Sequence, residues 1–403
     1  SMSTLNERHT LAEQVAQAMG KSVYNNVEAH KDITPRLELQ QKSPKLMTLE
    51  EAIRHSGLKD GMTISFHHHF RGGDKVVNMV VAKLAEMGFK GLHLAASSLQ
   101  DVHEPLIEHI RNGVITEIST SGLRGELAKE ISHGLMEKPV VFRSHGGRGE
   151  AIASGELHID VAFLGASSSD PLGNACGYSR SENAKSICGS LGYALPDAHY
   201  ADKVVILTDD LVPYPNTPNS ISEHDVDYVV EVESVGDSSK IASGAIRDTK
   251  NPRDILLAQQ AAKVIVNSGY FKNGFSIQTG SGGASLAAVK YIRQSMIDQN
   301  IKASFALGGI TAHMVKMHEE GLIERLIDVQ SFDKVAAESL KNDPKHKEVS
   351  ACEYASMHEQ GAATHYLDIV ILSALEVDVN FNVNVLVGSD GIIRGAIGGH
   401  PDT

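Results

Sequence analysis

From Thr48 onward the chain alternates between two hydrophobic spacings. Short β-branched or apolar runs end in glycine, and each is followed by a segment whose apolar positions recur every three to four residues. The run 62–66 predicts a strand that leads into His67-His68-His69-Phe70-Arg71-Gly72-Gly73, and 76–87 predicts a helix behind it. Further strands are expected at 91–96, 139–142, 161–165 and 203–207. The second half repeats the theme. A helix is expected over 252–267, a strand over 275–279, a turn at Gly280-Ser281-Gly282-Gly283, a helix over 286–299, and a strand over 303–307 running into Gly308-Gly309. Two β-branched runs, 367–379 and 383–387, precede a closing Gly398-Gly399-His400-Pro401-Asp402. Strands alternating with helices define an α/β fold built on parallel sheets.

Punctuation divides the chain. The stretch Pro213-Tyr214-Pro215-Asn216-Thr217-Pro218 suits neither a helix nor a central strand, so a boundary is expected there. The reading is an N-terminal arm over 1–47, a first domain over 48–218 and a second over 219–403. Ser1 ahead of Met2 reads as a residue left by tag removal and is set aside.

Composition narrows the function. The chain has 403 residues, 41% of them hydrophobic and 22% charged, enough for two or three domains with their own cores. A formal charge of −13 argues against a nucleic-acid surface, because phosphate binding needs clustered lysine and arginine. No window approaches the ~18 apolar residues of a membrane span, and no secretory signal opens the chain, so a cytoplasmic protein is expected. Cys176, Cys188 and Cys352 are too scattered for a disulfide framework and fit a reducing compartment.

The candidate chemistry lies in the glycine turns. Glycine pairs at Gly72-Gly73, Gly146-Gly147, Gly280 to Gly283, Gly308-Gly309 and Gly398-Gly399 follow apolar runs, where backbone N–H groups at a helix start suit an anion or a developing oxyanion. Five such turns favour a ligand cleft at the carboxyl edge of the sheet. Gly280-Ser281-Gly282 opens like a dinucleotide fingerprint, but Ser285 stands where the third glycine belongs and no acid follows the next strand. No metal is expected: adjacent histidines on extended chain point to opposite faces, so at most two of His67 to His69 converge on one ion, and the run is read instead as lining the strand end beside the cleft, with one histidine donating a hydrogen bond. Arg71 and Arg148, beside glycine turns, are placed to grip a carboxylate in bidentate fashion. Asp170, Asp209 and Asp210 read as turn formers and caps, and the Met-containing face of 313–317 as core.

Ser144-His145-Gly146-Gly147-Arg148-Gly149, the run 276–283, Leu307-Gly308-Gly309-Ile310-Thr311 and the stretch 374–382 through Gly398-Gly399-His400-Pro401-Asp402 resemble the citrate lyase alpha chain. The resemblance covers almost the whole chain. It implies two similar open α/β domains of the CoA-transferase type, with the active-site cleft between them. It also implies a reaction in which citrate and an acetylated acyl carrier protein give the citryl carrier and acetate. Acetyl-CoA, or a phosphoribosyl-dephospho-CoA prosthetic group on the partner carrier protein, supplies the thiol. The implied partners are a beta subunit (the lyase) and a gamma subunit (the acyl carrier) in an oligomeric complex.

Site residues follow from the same resemblance. Backbone oxyanion donors are expected at Gly72, Gly73, Gly308 and Gly309. Arg71, Ser144, His145, Arg148 and Asn382 are expected to bind the substrate. Gly280, Ser281, Gly282, Gly283, Gly398, Gly399 and His400 are expected to take the thioester. Many CoA-transferases use a nucleophilic glutamate, and aligning Glu319-Glu320-Gly321 with their conserved turn places Gly308 at that position. No glutamate lies between Gln278 and His318, so direct attack by a citrate carboxylate is expected instead. Relatives continue past the terminal Gly-Gly-His motif, so the second domain is expected to be truncated. A citramalate-specific or free-CoA transferase, a thioester hydrolase and a metabolite sensor on the same scaffold are the alternatives.

Overall fold

The computed structural model of the protein describes residues 43–242, 249–280, 282–359, 368–371, 376–377 and 383–384. Within them lie two parallel sheets. The first contains β1 (Thr63–Phe66), β2 (Leu92–Ala96), β3 (Ile115–Thr120), β4 (Val141–Phe142), β5 (Val161–Ala166), β6 (Lys203–Thr208) and β7 (Tyr228–Glu231), in the order β4-β3-β2-β1-β5-β6-β7. The second contains β8 (Phe275–Thr279), β9 (Ala303–Ile310), β10 (Ile323–Ser331), β11 (His346–Glu348) and β12 (Ile369–Ile371), in the order β11-β10-β9-β8-β12. Every pairing in these two sheets is parallel.

The central strands are almost wholly buried, as in parallel sheets covered on both faces. All six residues of β5 are buried. Between β1 and β2 the helix Val76–Glu86 lays Val76, Val77, Val80, Val81 and Leu84 into the core, the spacing of one helical face. Ser144 begins the helix His145–Ser154 by accepting a hydrogen bond from the Gly147 amide, and Gly155 ends it in the left-handed conformation. Strand β7 lies beyond the proline-rich stretch yet pairs with β6, and Ile241 packs into the same core. No helix among the described residues is long and apolar enough to cross a membrane.

The sheets are joined by the segment 186–194. Ser190 donates through its hydroxyl to Asp328 O (3.0 Å), and its amide donates to Ser331 Oγ (3.2 Å). The Leu191 amide donates to Glu348 Oε2 at 2.6 Å. Gly192 lies so close to the second sheet that a Cβ there would fall 2.3 Å from Val349 O, so only glycine fits. Tyr193 then buries its ring among Phe305, Leu307, Ile327, Val329, Val349, Ala351 and Tyr354, a small apolar core of the second sheet into which the segment 186–194 reaches.

Candidate functional site

Both sheets have a switch point. In the first, β2 to β4 lie on one side of β1 and β5 to β7 on the other; in the second, β9 to β11 lie on one side of β8 and β12 on the other. Loops leaving the carboxyl ends of strands diverge at such a point and open a crevice. The loop after β1 carries the three histidines and Arg71, all buried, and β8 ends in Gln278 and Thr279, also buried.

Each imidazole has its own bonding. His67 Nε2 lies 2.7 Å from Gly165 O, which can only accept, so Nε2 holds the proton; Nδ1 accepts from the His69 amide at 3.2 Å. His67 thus ties the loop to β5 and has no nitrogen left for a ligand. His68 Nδ1 sits 2.6 Å from Ser97 Oγ, just beyond β2. His69 Nε2 lies 3.1 Å from the Tyr193 amide nitrogen. The Tyr193 ring is the common platform. It stacks on His68 (centroids 5.3 Å, 15° between planes) and His69 (5.5 Å, 19°), and His145 approaches it to 4.1 Å.

Burial disfavours the charged form of these rings. It holds His67 below the usual imidazole range and His68 and His69 well below it. Burial, helped by the nearby charges of Arg148 and Arg71, brings His145 down to about 3. Arg71, lowered to about 10 by burial and by Arg124, stays cationic at neutral pH. Neutral donors therefore surround a fixed positive charge.

Arg71 holds a left-handed backbone (φ 50°), unusual outside glycine, in a turn closed by its amide on His68 O. Its guanidinium lies over the Phe332 ring, 5.0 Å from the centroid. No carboxylate among the described residues pairs with it, and Nη1 is buried without a hydrogen-bond partner. His69 Nδ1, His145 Nδ1 and Ser121 Oγ on the first sheet's rim, and Gln278 Oε1, Thr279 Oγ1 and Gln330 Nε2 on the second's, are likewise buried and unpartnered. Buried polar groups are normally paired, and a buried unpaired cation is costly. Gathered at the carboxyl ends of strands, they fit an oxygen-rich anion.

Other expected site residues have structural partners. Arg148 makes a bidentate pair with Asp197, both contacts 2.8 Å, and also donates to Ala95 O. Both terminal nitrogens of its guanidinium are thus engaged inside the first domain, while the buried Nε has no partner among the described residues. The amide of Gly73, expected as an oxyanion donor, donates to Phe70 O at 2.9 Å. The Gly280 amide is similarly committed to Ile371 O (2.7 Å), so Gly282 and Gly283, at the start of the helix Gly283–Gln299, remain as the described thioester candidates. Ser144 serves its helix as N-cap.

Gly308 and Gly309 lie inside β9, at a register shift against β10, where a turn was expected. A Cβ on Gly309 would fall 2.0 Å from the Phe332 ring, so this glycine seats the ring on which Arg71 rests. Ser281, Asn382, Gly398, Gly399 and His400 lie outside the described residues. Asp170 accepts from the amides of Leu172, Gly173 and Asn174 as a turn former. One group of ligand-type side chains lies together among the described residues, His158, Asp160 and Asp202. It precedes β5 and β6, at the opposite end of the strands from the crevice.

The sequence reading gave Tyr193, Phe332, Gln278 and Gln330 no site role. The glycine spacing of Cys188-Gly189-Ser190-Leu191-Gly192-Tyr193, outside any strand, is the signal that marks the first of these.

Two parallel α/β units of this kind make the fold CoA-transferase-like. It is shared with the malonate decarboxylase alpha subunit of Acinetobacter baumannii (TM-score 0.67, 16% identity, 91% of this chain and 67% of that one). The family model described as citrate lyase, alpha subunit (CitF), matches residues 43–403. The citrate lyase alpha chain of Haemophilus influenzae is 60% identical over 384 residues, which are 95% of this chain and 75% of that protein. A crystal structure assigned to the alpha subunit of citrate lyase from Streptococcus mutans, in complex with citrate, superposes with a TM-score of 0.85 at 57% identity, covering 92% of this chain and 71% of that one. The chain belongs to the citrate lyase alpha subunit family.

Proposed function

We propose that this chain is a citrate CoA-transferase, exchanging citrate for acetate on the thiol of a CoA-like arm carried by an acyl carrier subunit. The observation that carries the reading is the buried, unpaired guanidinium of Arg71 among neutral donors at the joint of the two sheets. Such a site suits a polycarboxylate, and a relative at 57% identity is described in complex with citrate. Arg71 takes a citrate carboxylate and His145 donates beside it. Gly72, Gly308 and Gly309 are the remaining backbone candidates for the oxyanion, and Gly282 and Gly283 face the thioester arm. The carrier and the lyase subunit are the partners in a cytoplasmic complex. Free, buried Cys176 and Cys188 fit a reducing compartment.

The reaction needs no enzyme nucleophile. A citrate carboxylate oxygen attacks the acetyl thioester carbonyl, the C–S bond breaks, and the thiolate leaves a mixed anhydride. The thiolate then attacks the citryl carbonyl and acetate departs with the bridging oxygen. Charge and protons balance throughout. Donors aimed at each oxyanion are worth about 2.7–4 kcal/mol apiece, and positioning about 7–11 kcal/mol. Gly308 supports this route: at φ 104°, a Cβ there would sit 2.9 Å from Gln278 Nε2, so the Gln278 carboxamide fills the space a glutamate would need.

A single turnover with carboxylate-labelled ¹⁸O citrate and acetyl-CoA tests the chemistry. Label in the first-formed acetate is expected; acetate carrying oxygen from water instead would mean hydrolysis, and unlabelled acetate in water-labelled buffer an enzyme carboxylate.

A further inference from the structure

We infer that His69 is a substrate-binding residue whose Nδ1–H donates a hydrogen bond to an oxygen of the bound hydroxy-polycarboxylate. This rests on the function proposed above and extends it to one particular member of the His67–His69 run.

The argument starts from a backbone amide. The Tyr193 N–H points at His69 Nε2 from 3.1 Å, and an amide nitrogen can only donate. Nε2 must therefore offer a lone pair, which excludes both the imidazolium and the Nε2–H tautomer. The single ring proton is left on Nδ1. That Nδ1 is fully enclosed and has no partner. A buried N–H without an acceptor is destabilising, and none of the described residues supplies one.

The ring has no freedom to turn away. Its own amide is held by His67 Nδ1, and the rings of His67, His68 and Tyr193 crowd it, with centroids 5.1, 5.8 and 5.5 Å away. Tyr193 itself is fixed in the small core of the second sheet. The donor direction is thus set by the joint between the domains, in the same cluster as Arg71 and His145, whose Nη1 and Nδ1 are also unpartnered. A neutral donor beside one cation suits a ligand with more oxygens than Arg71 can pair, as a hydroxy-polycarboxylate has. A fixed N–H also favours an acceptor at one place, so it discriminates between acids that differ in the position of one oxygen.

Two substitutions separate this role from a structural one. His69→Asn keeps a donor near the Nδ1 position and gives up the acceptor for Tyr193. His69→Gln keeps an acceptor near Nε2 and gives up the Nδ1 donor. Citrate affinity is measured by calorimetry on the full chain, with melting temperature as the check on folding. We expect His69→Gln to weaken citrate binding roughly tenfold or more while His69→Asn stays within about threefold of wild type, the loss of one donor to an anion. The opposite order, or no change in either variant, overturns the inference.

Nitrogen-15 histidine NMR of the wild-type protein supplies an independent check. The Nδ1–H tautomer is expected for His69, with its proton moving on citrate addition; an Nε2–H tautomer overturns the inference without any variant having to fold. Citrate binding without turnover would refute the transferase reading and leave His69 supported, whereas no citrate binding to wild type would refute both.

Discussion

The guanidinium of Arg71, on the loop after the first strand of one sheet, rests on the ring of Phe332, just past the last residue of a strand of the other. This contact couples a cation of the histidine cluster to the geometry of both domains. Replacing Arg71 by Lys keeps the charge and loses the planar fork, and replacing it by Met loses both. Arg71→Met is expected to lower kcat/KM for citrate by about 10²-fold or more, and Arg71→Lys by less, with the KM for acetyl-CoA little changed in either. Steady-state kinetics with each substrate varied in turn measure this.

Arg148 predicts a different outcome, since its partner is Asp197 and both are buried. Arg148→Met leaves a carboxylate enclosed and uncompensated, a loss of about 3–5 kcal/mol. The variant should unfold at markedly lower denaturant, and whatever remains folded should keep a near-normal citrate KM. Adding Asp197→Leu should recover part of the stability. A selective rise in citrate KM in a fully stable Arg148→Met protein would return Arg148 to the substrate.

Gly309 should tolerate no side chain while Phe332 is in place. Gly309→Ala drives a Cβ into the ring and is expected to destabilise by about 1–3 kcal/mol and to reduce citrate turnover by displacing Phe332 from Arg71. The pair Gly309→Ala with Phe332→Leu makes room and should regain more stability than activity. Equilibrium unfolding and kcat/KM, measured on the same three proteins, separate the two effects.

Glu348 makes the domain joint sensitive to pH. Burial pushes its carboxyl up from the ordinary 4.5 to about 7, although the Leu191 amide and the Ser220 hydroxyl both donate to it. Between those two values the folded protein holds a proton that the unfolded chain has released. Stability from this group is therefore full below about pH 4.5, falls as pH rises towards 7, and levels off above it. Glu348→Gln, which still accepts from Leu191, should show a shallower decline of Tm between pH 5 and 7 than wild type. Scanning calorimetry across that range is the measurement, and parallel slopes would contradict the assignment.

The strand 275–279 is legible to the residue, because five residues alternating around Phe275 and Ile277 between Gly274 and a glycine turn leave few alternatives. Its neighbour was read as ending at 307, yet β9 continues to Ile310: Gly308 and Gly309 pair with Asp328 and Gln330 across a bulge, and pairing with a distant strand is invisible in local spacing. The strand Ile323–Ser331 was missed for a related reason. Its Asp328 looks like a surface residue, yet inside the fold its Oδ2 is met by His346 and Ser331. In the site, Arg71 and His145 were readable from their glycine neighbours. Tyr193 acts through stacking on three rings from other segments, and the commitment of Arg148 depends on Asp197, forty-nine residues away; neither relationship is written in any motif.

The most direct test of the central claim is product analysis. The purified chain is mixed with acetyl-CoA and citrate, and the mixture is examined by mass spectrometry for citryl-CoA and free acetate. Citryl-CoA and acetate formed in equal amounts, and only when citrate is present, are the predicted result. Acetate released without citryl-CoA, at the same rate whether or not citrate is added, would contradict the account.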